Sequence, residues 1–125
     1  MHAPRNLLFL AAFFIIAGLM HFVVPAQYES IVPSWVPYPA TMVVVSGIAE
    51  AAGGIGLLMR PVRRLAAGGL ILLLIAVFPA NIEMLREAVA TGKSDEYQAL
   101  LYLRLPFQSI LIVWLWRSAI ARRRD

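Results

Sequence analysis

The chain has 125 residues, of which 61% are apolar and only 14% charged, with a net charge of +4 and no cysteine. A soluble domain is usually about half apolar and a quarter charged, so the composition excludes an ordinary soluble domain as well as a disordered chain. The lack of cysteine excludes thiol relays, Cys-ligated zinc or iron–sulfur sites, and disulfides.

Four apolar runs follow one another. The first, 7–24, is interrupted only by His21. Arg5 before it and Val24-Pro25-Ala26 after it imitate a signal peptide, but the run exceeds the usual core of a leader. The second run is 39–59 and contains Glu50. The third, 65–82, ends at Phe78-Pro79-Ala80-Asn81, and the fourth, 99–116, carries Arg104 and Gln108. Each is long enough to cross a bilayer as a helix, and a lipid-embedded backbone must satisfy itself, so the expected fold is an all-α integral membrane four-helix bundle. One such domain accounts for the whole of residues 1–125.

The connections read as follows. Pro25 to Tyr38 contains Pro25, Pro33 and Pro37 and no basic residue, which predicts a stiff loop. Tyr28, Trp35 and Tyr38 in it suit the headgroup level, as an interfacial anchor or as a lid over the bundle. Asn81 to Val89 continues the third helix, with Ile82, Leu85 and Val89 on one apolar face. Thr91-Gly92 stops it, and Ser94 followed by Asp95 and Glu96 caps the start of the fourth helix.

The basic residues are unevenly placed. Arg5, Arg60, Arg63, Arg64, Arg117, Arg122, Arg123 and Arg124 fall on one side of the four runs, and only Arg86 and Lys93 on the other. The positive-inside rule then places both termini in the cytoplasm. The expected location is a bacterial plasma (inner) membrane, crossed four times. The positive charge reads as topology and contact with anionic membrane lipid, and no nucleic-acid partner is expected.

A charge at mid-bilayer costs at least ~2.5–3.5 kcal/mol, so Glu50 and Arg104 each need a partner or a wet cavity. At a rise of ~1.5 Å per residue, Glu50 lies ~16 Å below the outer face, Arg104 ~8 Å, Gln108 ~14 Å and His21 ~5 Å, with Asn81 at the outer rim. All five fall in the outer half, which predicts one polar pocket open to the outside. The small-and-polar stripe Ser46, Gly47, Glu50, Gly53, Gly54 supports close approach on a shared face. So do Gly18 with His21, Arg104 with Gln108 at i, i+4 spacing, and Gly68 and Gly69 on the third run. Glu50 and Arg104 also read as a structural ion pair that sets bundle register. A single histidine is a poor metal site, so no metal is expected, and Met20, Met42, Met59 and Met84 read as apolar filler.

Several stretches resemble the DoxX family of small membrane proteins: Gly18-x-x-His21-Phe22-x-x-Pro25-x-x-Tyr28-x-x-Ile31-Val32-Pro33, and Ser46-Gly47-x-x-Glu50-x-x-Gly53-Gly54-x-Gly56-Leu57-Leu58. Val77-Phe78-Pro79-Ala80-Asn81-Ile82 and Leu103-Arg104-Leu105-Pro106-x-Gln108 extend the likeness over most of the chain. The resemblance implies a four-helix membrane protein and a link to quinone-dependent redox complexes. Its motif positions His21, Glu50, Asn81, Arg104 and Gln108 are the same five residues reached from depth.

The reading that follows is a small subunit or accessory of a redox membrane complex, with quinone as the candidate cofactor and other subunits or a second copy as partners. Arg104, His21 and Gln108 would donate to quinone carbonyls, and Glu50 would carry the accompanying proton. The alternative is a non-enzymatic assembly protein in which the Glu50–Arg104 pair is structural. A small proton-coupled exporter is a third reading, and the strong charge bias argues against it.

Overall fold

The structure, a computed structural model, describes residues 5–30, 32 and 35–121. The expectations resting on Ile31, Pro33 and the Arg122, Arg123 and Arg124 tail lie outside the described residues. The described chain is helical: α1 (Arg5–Val23), α2 (Pro25–Ser30), α3 (Pro39–Leu57), a 3-10 turn (Arg60–Val62), α4 (Arg63–Ala90) and α5 (Asp95–Leu115), which runs into a π-helical turn (Trp116–Ile120). Four of these segments, those built on α1, α3, α4 and α5, are long and apolar enough to cross a membrane.

The long helices are apolar on every side. Leu65 and Leu72 on α4 and Phe9 and Ile16 on α1 point outward and are more than half exposed. Such a surface is costly in water and ordinary in lipid. At 28 residues α4 is ~42 Å long, more than the ~30 Å hydrocarbon layer of a bilayer.

α1 lies closest to α3, α3 packs on α4, and α4 on α5. The ring closes where the start of α1 meets the end of the chain. Asn6 Nδ2 donates to Ser118 Oγ at 3.2 Å, and Phe9 stacks on Trp114 with ring centroids 5.5 Å apart. Phe13 meets Phe107 edge-on further along. Beyond that point α1 and α5 separate.

The dry core occupies one half of the bundle. Leu7, Leu10, Phe14, Leu57, Leu70 and Leu115 are all but fully buried there, near the arginine-rich turn between α3 and α4. Arginines at that turn also cap helix ends: Arg63 Nε donates to the Leu57 carbonyl and Arg64 to the Ile120 carbonyl, each at 2.7 Å. Cations there oppose the negative ends of α3 and of the terminal turn.

The α1–α3 crossing brings backbone against backbone. A Cβ on Gly18 would sit 2.6 Å from both the Ala51 nitrogen and the Gly47 oxygen. One on Gly54 would sit 2.8 Å from the Ala11 oxygen. Only glycine fits at such contacts, and this is the small-residue packing that membrane helices use. Gly53 instead faces Leu70 of α4.

The turn between α4 and α5 follows the local chemistry. Gly92 has φ +70°, the amide of Lys93 donates to the Ala88 carbonyl and that of Gly92 to the Val89 carbonyl, which closes α4 in a Schellman motif. Ser94 Oγ then accepts from the Tyr97 amide at 3.2 Å, with Asp95 and Glu96 in the first turn of α5.

Three expectations need correction. Pro25 begins a short helix instead of a loop, because proline at the first helical position gives up an amide that would be unpaired anyway. The face of α4 that carries Ile82 and Val89 is exposed, and the packed face carries Asn81 and Ala88. Gly68 and Gly69 have nothing within 4 Å of where a Cβ would stand, so they are not close-approach positions.

Candidate functional site

The half of the bundle that carries α2 is not filled by a dry core. It contains a cavity of about 430 Å³ whose walls come from α3 and α4, among them Val43, Val77 and Ala80. One end is polar: His21, Tyr28, Glu50, Asn81 and Arg104 all line it. Four of the five residues singled out in the sequence are therefore brought together. Gln108 is not.

The glycine crossing positions His21. Gly47 packs directly on the His21 Cβ, so α1 presents the imidazole across α3 toward Glu50. The ring nitrogen Nδ1 donates to the Ala17 carbonyl at 2.9 Å, one turn back on α1. A carbonyl can only accept, so the proton sits on Nδ1 and Nε2 faces the carboxyl group. Nε2 lies 3.9 Å from Glu50 Oε2, too long for a direct hydrogen bond.

Tyr28 covers the imidazole from α2. The two rings stack with centroids 4.1 Å apart and an interplanar angle of 20°. Partial burial, and secondarily the Glu50 carboxylate, push the Tyr28 phenol above its ordinary pKa, while Arg104 works in the opposite direction. The hydroxyl thus remains a hydrogen-bond donor at neutral pH.

Asn81 is buried on α4 and donates from Nδ2 to Gln108 Oε1. Gln108 Nε2 donates in turn to the Leu74 carbonyl. Leu74 lies next to Ile75, whose carbonyl has no helical partner because Pro79 has no N–H. Gln108 is thereby committed on both ends of its amide. It ties α5 to α4 just where proline weakens α4, and it holds Asn81 at the cavity edge.

Arg104 stands apart. Its Nη1 approaches the Met84 sulfur at 3.9 Å, and no carboxylate among the described residues lies within 4.0 Å of it. The Glu50–Arg104 ion pair expected from the sequence does not form. Glu50 turns to His21 instead, because the glycine crossing draws α1 to α3 more tightly than anything draws α5 to α3.

A second cleft of about 500 Å³ lies where α1 and α5 diverge, beside Val24, Leu100 and Leu101. It shares Tyr28, Met84 and Arg104 with the first cavity, so these three side chains form the partition between the two spaces.

Sequence reasoning did not name Tyr28 or Met84 as site residues: it read the Tyr28 segment as an interfacial anchor or a lid, and Met84 as filler. A signal existed for Met84, which is three residues after Asn81 on α4, a spacing that returns to the same side of a helix; Tyr28 follows His21 across the break between α1 and α2.

Comparison with known proteins overturns the resemblance to the DoxX family: the family model that matches is a different one. No curated protein and no solved structure matches the chain. The matching model covers residues 10–119, nearly the whole chain, and the protein belongs to the family described as a domain of unknown function, DUF8561.

Proposed function

We propose that this is an integral membrane protein that binds a membrane-soluble amphiphile, with the apolar part between α3 and α4 and the head at the polar end of the cavity. The observation that carries the reading is the convergence of His21, Tyr28, Asn81 and Arg104, with Glu50, at one end of an otherwise apolar cavity. Ligand sites have this form: mostly apolar walls and a few placed polar groups that fix orientation. The walls merge into helix faces on which Met42 and Val45 are at least 40% exposed, so a ligand dissolved in the bilayer reaches the cavity sideways.

The head group must carry oxygen acceptors, because Arg104 and Tyr28 offer donors. Quinone carbonyls and lipid head-group oxygens both meet that demand. With a quinone the protein would serve as a small subunit or accessory of a redox membrane complex, the electron carrier residing in a partner. The bias of basic residues toward the side of Arg5, Arg60, Arg63, Arg64 and Arg117 supports cytoplasmic termini in a bacterial plasma membrane, with the cavity in the outer half.

The test is native mass spectrometry of protein released gently from its membrane, compared with an Ala80→Phe variant whose ring fills the cavity. A hydrophobic small molecule should accompany the wild type and be lost from the variant, with both proteins equally folded. A wild-type protein that carries no such mass and takes up neither quinone nor lipid would refute the reading.

A further inference from the structure

An amphiphile in the α3–α4 cavity could carry several head groups, and the surroundings of Arg104 narrow the choice, an inference that rests on the amphiphile reading. Arginine remains charged under all physiological conditions. Its guanidinium offers five N–H donors, and the contact it makes here is to a thioether sulfur at 3.9 Å, a weak acceptor at long range. No carboxylate among the described residues lies within salt-bridge distance of it, and Glu50, which lines the same cavity, stands nearer His21. Asn81 and Gln108 bond to each other and, through Gln108, to the Leu74 carbonyl, and neither accepts a hydrogen bond from Arg104. Among the cavity's polar groups Arg104 alone carries a fixed charge without a counter-charge.

Position adds a second observation. Arg104 lies on the partition between the α3–α4 cavity and the α1–α5 cleft, flanked by Tyr28 and Met84 in both spaces. A head group there has an apolar chamber on one side and an apolar mouth, beside Val24 and Leu100, on the other. A neutral carbonyl would satisfy one donor and leave the charge uncompensated. A phosphate or carboxylate satisfies a pair of donors and the charge together.

We propose that the ligand is an anionic amphiphile whose phosphate or carboxylate is bound by the Arg104 guanidinium at the junction of the two clefts, with its chain in the α3–α4 cavity and the α1–α5 cleft as its mouth. Tyr28 closes the head group from the α2 side and donates its hydroxyl to the same anion. Glu50 and His21 line the same cavity.

The experiment places the full chain in nanodiscs of phosphatidylcholine doped with phosphatidylglycerol and counts tightly bound lipid by native mass spectrometry. Parallel samples carry added inorganic phosphate or a neutral quinone. Wild type should retain phosphatidylglycerol in preference to phosphatidylcholine. Arg104→Met should lower that retention by about tenfold or more, the loss expected for a charge-assisted bidentate contact. Arg104→Lys, which keeps the charge and loses the fork, should fall between them. Should Arg104→Met fail to fold, the comparison of wild type with Arg104→Lys decides: equal retention of charged and zwitterionic lipid in both overturns the proposal. Inorganic phosphate bound as tightly as the lipid overturns the amphiphile and leaves a free-anion site. A quinone retained equally by wild type and Arg104→Met overturns the anionic head while the amphiphile reading stands. No retained hydrophobic molecule in any sample ends both.

Discussion

Replacing Gly18 by alanine isolates the contact on which the site depends. The added methyl would lie 2.6 Å from two backbone atoms of α3, against the 3.4–4 Å of ordinary contact. Neither atom can move alone, so α1 and α3 must separate by about 1 Å, a gap that forfeits a quarter to a half of the dispersion energy between each pair of atoms it parts. Overpacking of this kind costs ~1–3 kcal/mol. Alanine recovers ~0.5–1 kcal/mol through its better helix propensity, which leaves a net loss of ~1–2 kcal/mol. Gly68→Ala is the control. Nothing stands within 4 Å of its added methyl, so only the propensity gain applies and that variant should be slightly more stable than wild type. The propensity gain is common to both, so the two alanine variants should differ by the overpacking cost of ~1–3 kcal/mol, about fivefold or more in the unfolding equilibrium. The assay is reversible unfolding in mixed micelles with increasing dodecyl sulfate, followed by circular dichroism. Equal stability of the two variants, or a Gly18→Ala protein more stable than wild type, would mean that α1 and α3 do not cross at backbone contact. The placement of His21 beside Glu50 would then lose its cause.

Two further outcomes test neighbouring parts of the site. Gln108→Leu removes both bonds of the amide and strands the buried Asn81 donor, at a cost of ~1–3 kcal/mol. Asn81→Leu combined with Gln108→Leu should cost clearly less than the two single changes added together, and strict additivity in the same micelle titration would show that the side chains do not pair. Tyr28 has its phenol pKa raised in the folded protein, so the unfolded chain loses that proton first as pH rises. Stability from this group is therefore intact below the ordinary tyrosine range and declines as the pH climbs through that range toward the raised value. Tyr28→Phe should flatten that alkaline decline, and an unchanged pH profile would place Tyr28 away from the carboxylate and the buried ring.

The spans, the α4–α5 turn and the polar half of the bundle were legible because each depends on local or composition-level physics. Apolar run length sets the helices, Gly92 must take a positive φ, and Ser94 is followed by the acids that a first turn favours. What depended on the third dimension was not legible. Arg104 and Gln108 share a helix side by spacing, yet one is exposed and the other is 4% exposed and fully bonded. An amide within a span reads the same whether it faces a cavity or braces a proline-weakened neighbour. Opposite charges at similar depth suggested a Glu50–Arg104 pair, but the partner of Glu50 was decided by which helices approach most closely. The likeness to DoxX failed for a related reason. Small residues at helix crossings and polar residues near proline recur wherever membrane helices must pack closely around a wet pocket, so they track architecture more than descent.

The division of the bundle into two unlike halves connects these points. On the arginine-turn side, leucines and Phe14 fill the space and the helix ends are capped by Arg63 and Arg64. That half supplies most of the buried apolar side chains. The α2 side gives up packing: α1 and α5 diverge there, Pro79 interrupts α4, and Pro106 interrupts α5. A chain selected only for a stable bundle would fill that volume with leucine, as it does in the opposite half. Instead it keeps an arginine, a glutamate and a histidine around the space, each expensive in lipid. It also uses a glycine crossing to press the histidine toward the glutamate and an amide strut to repair the helix that proline weakens. Those devices hold the cavity's walls in place while leaving its interior open, which is the arrangement a ligand site requires and a packing device does not.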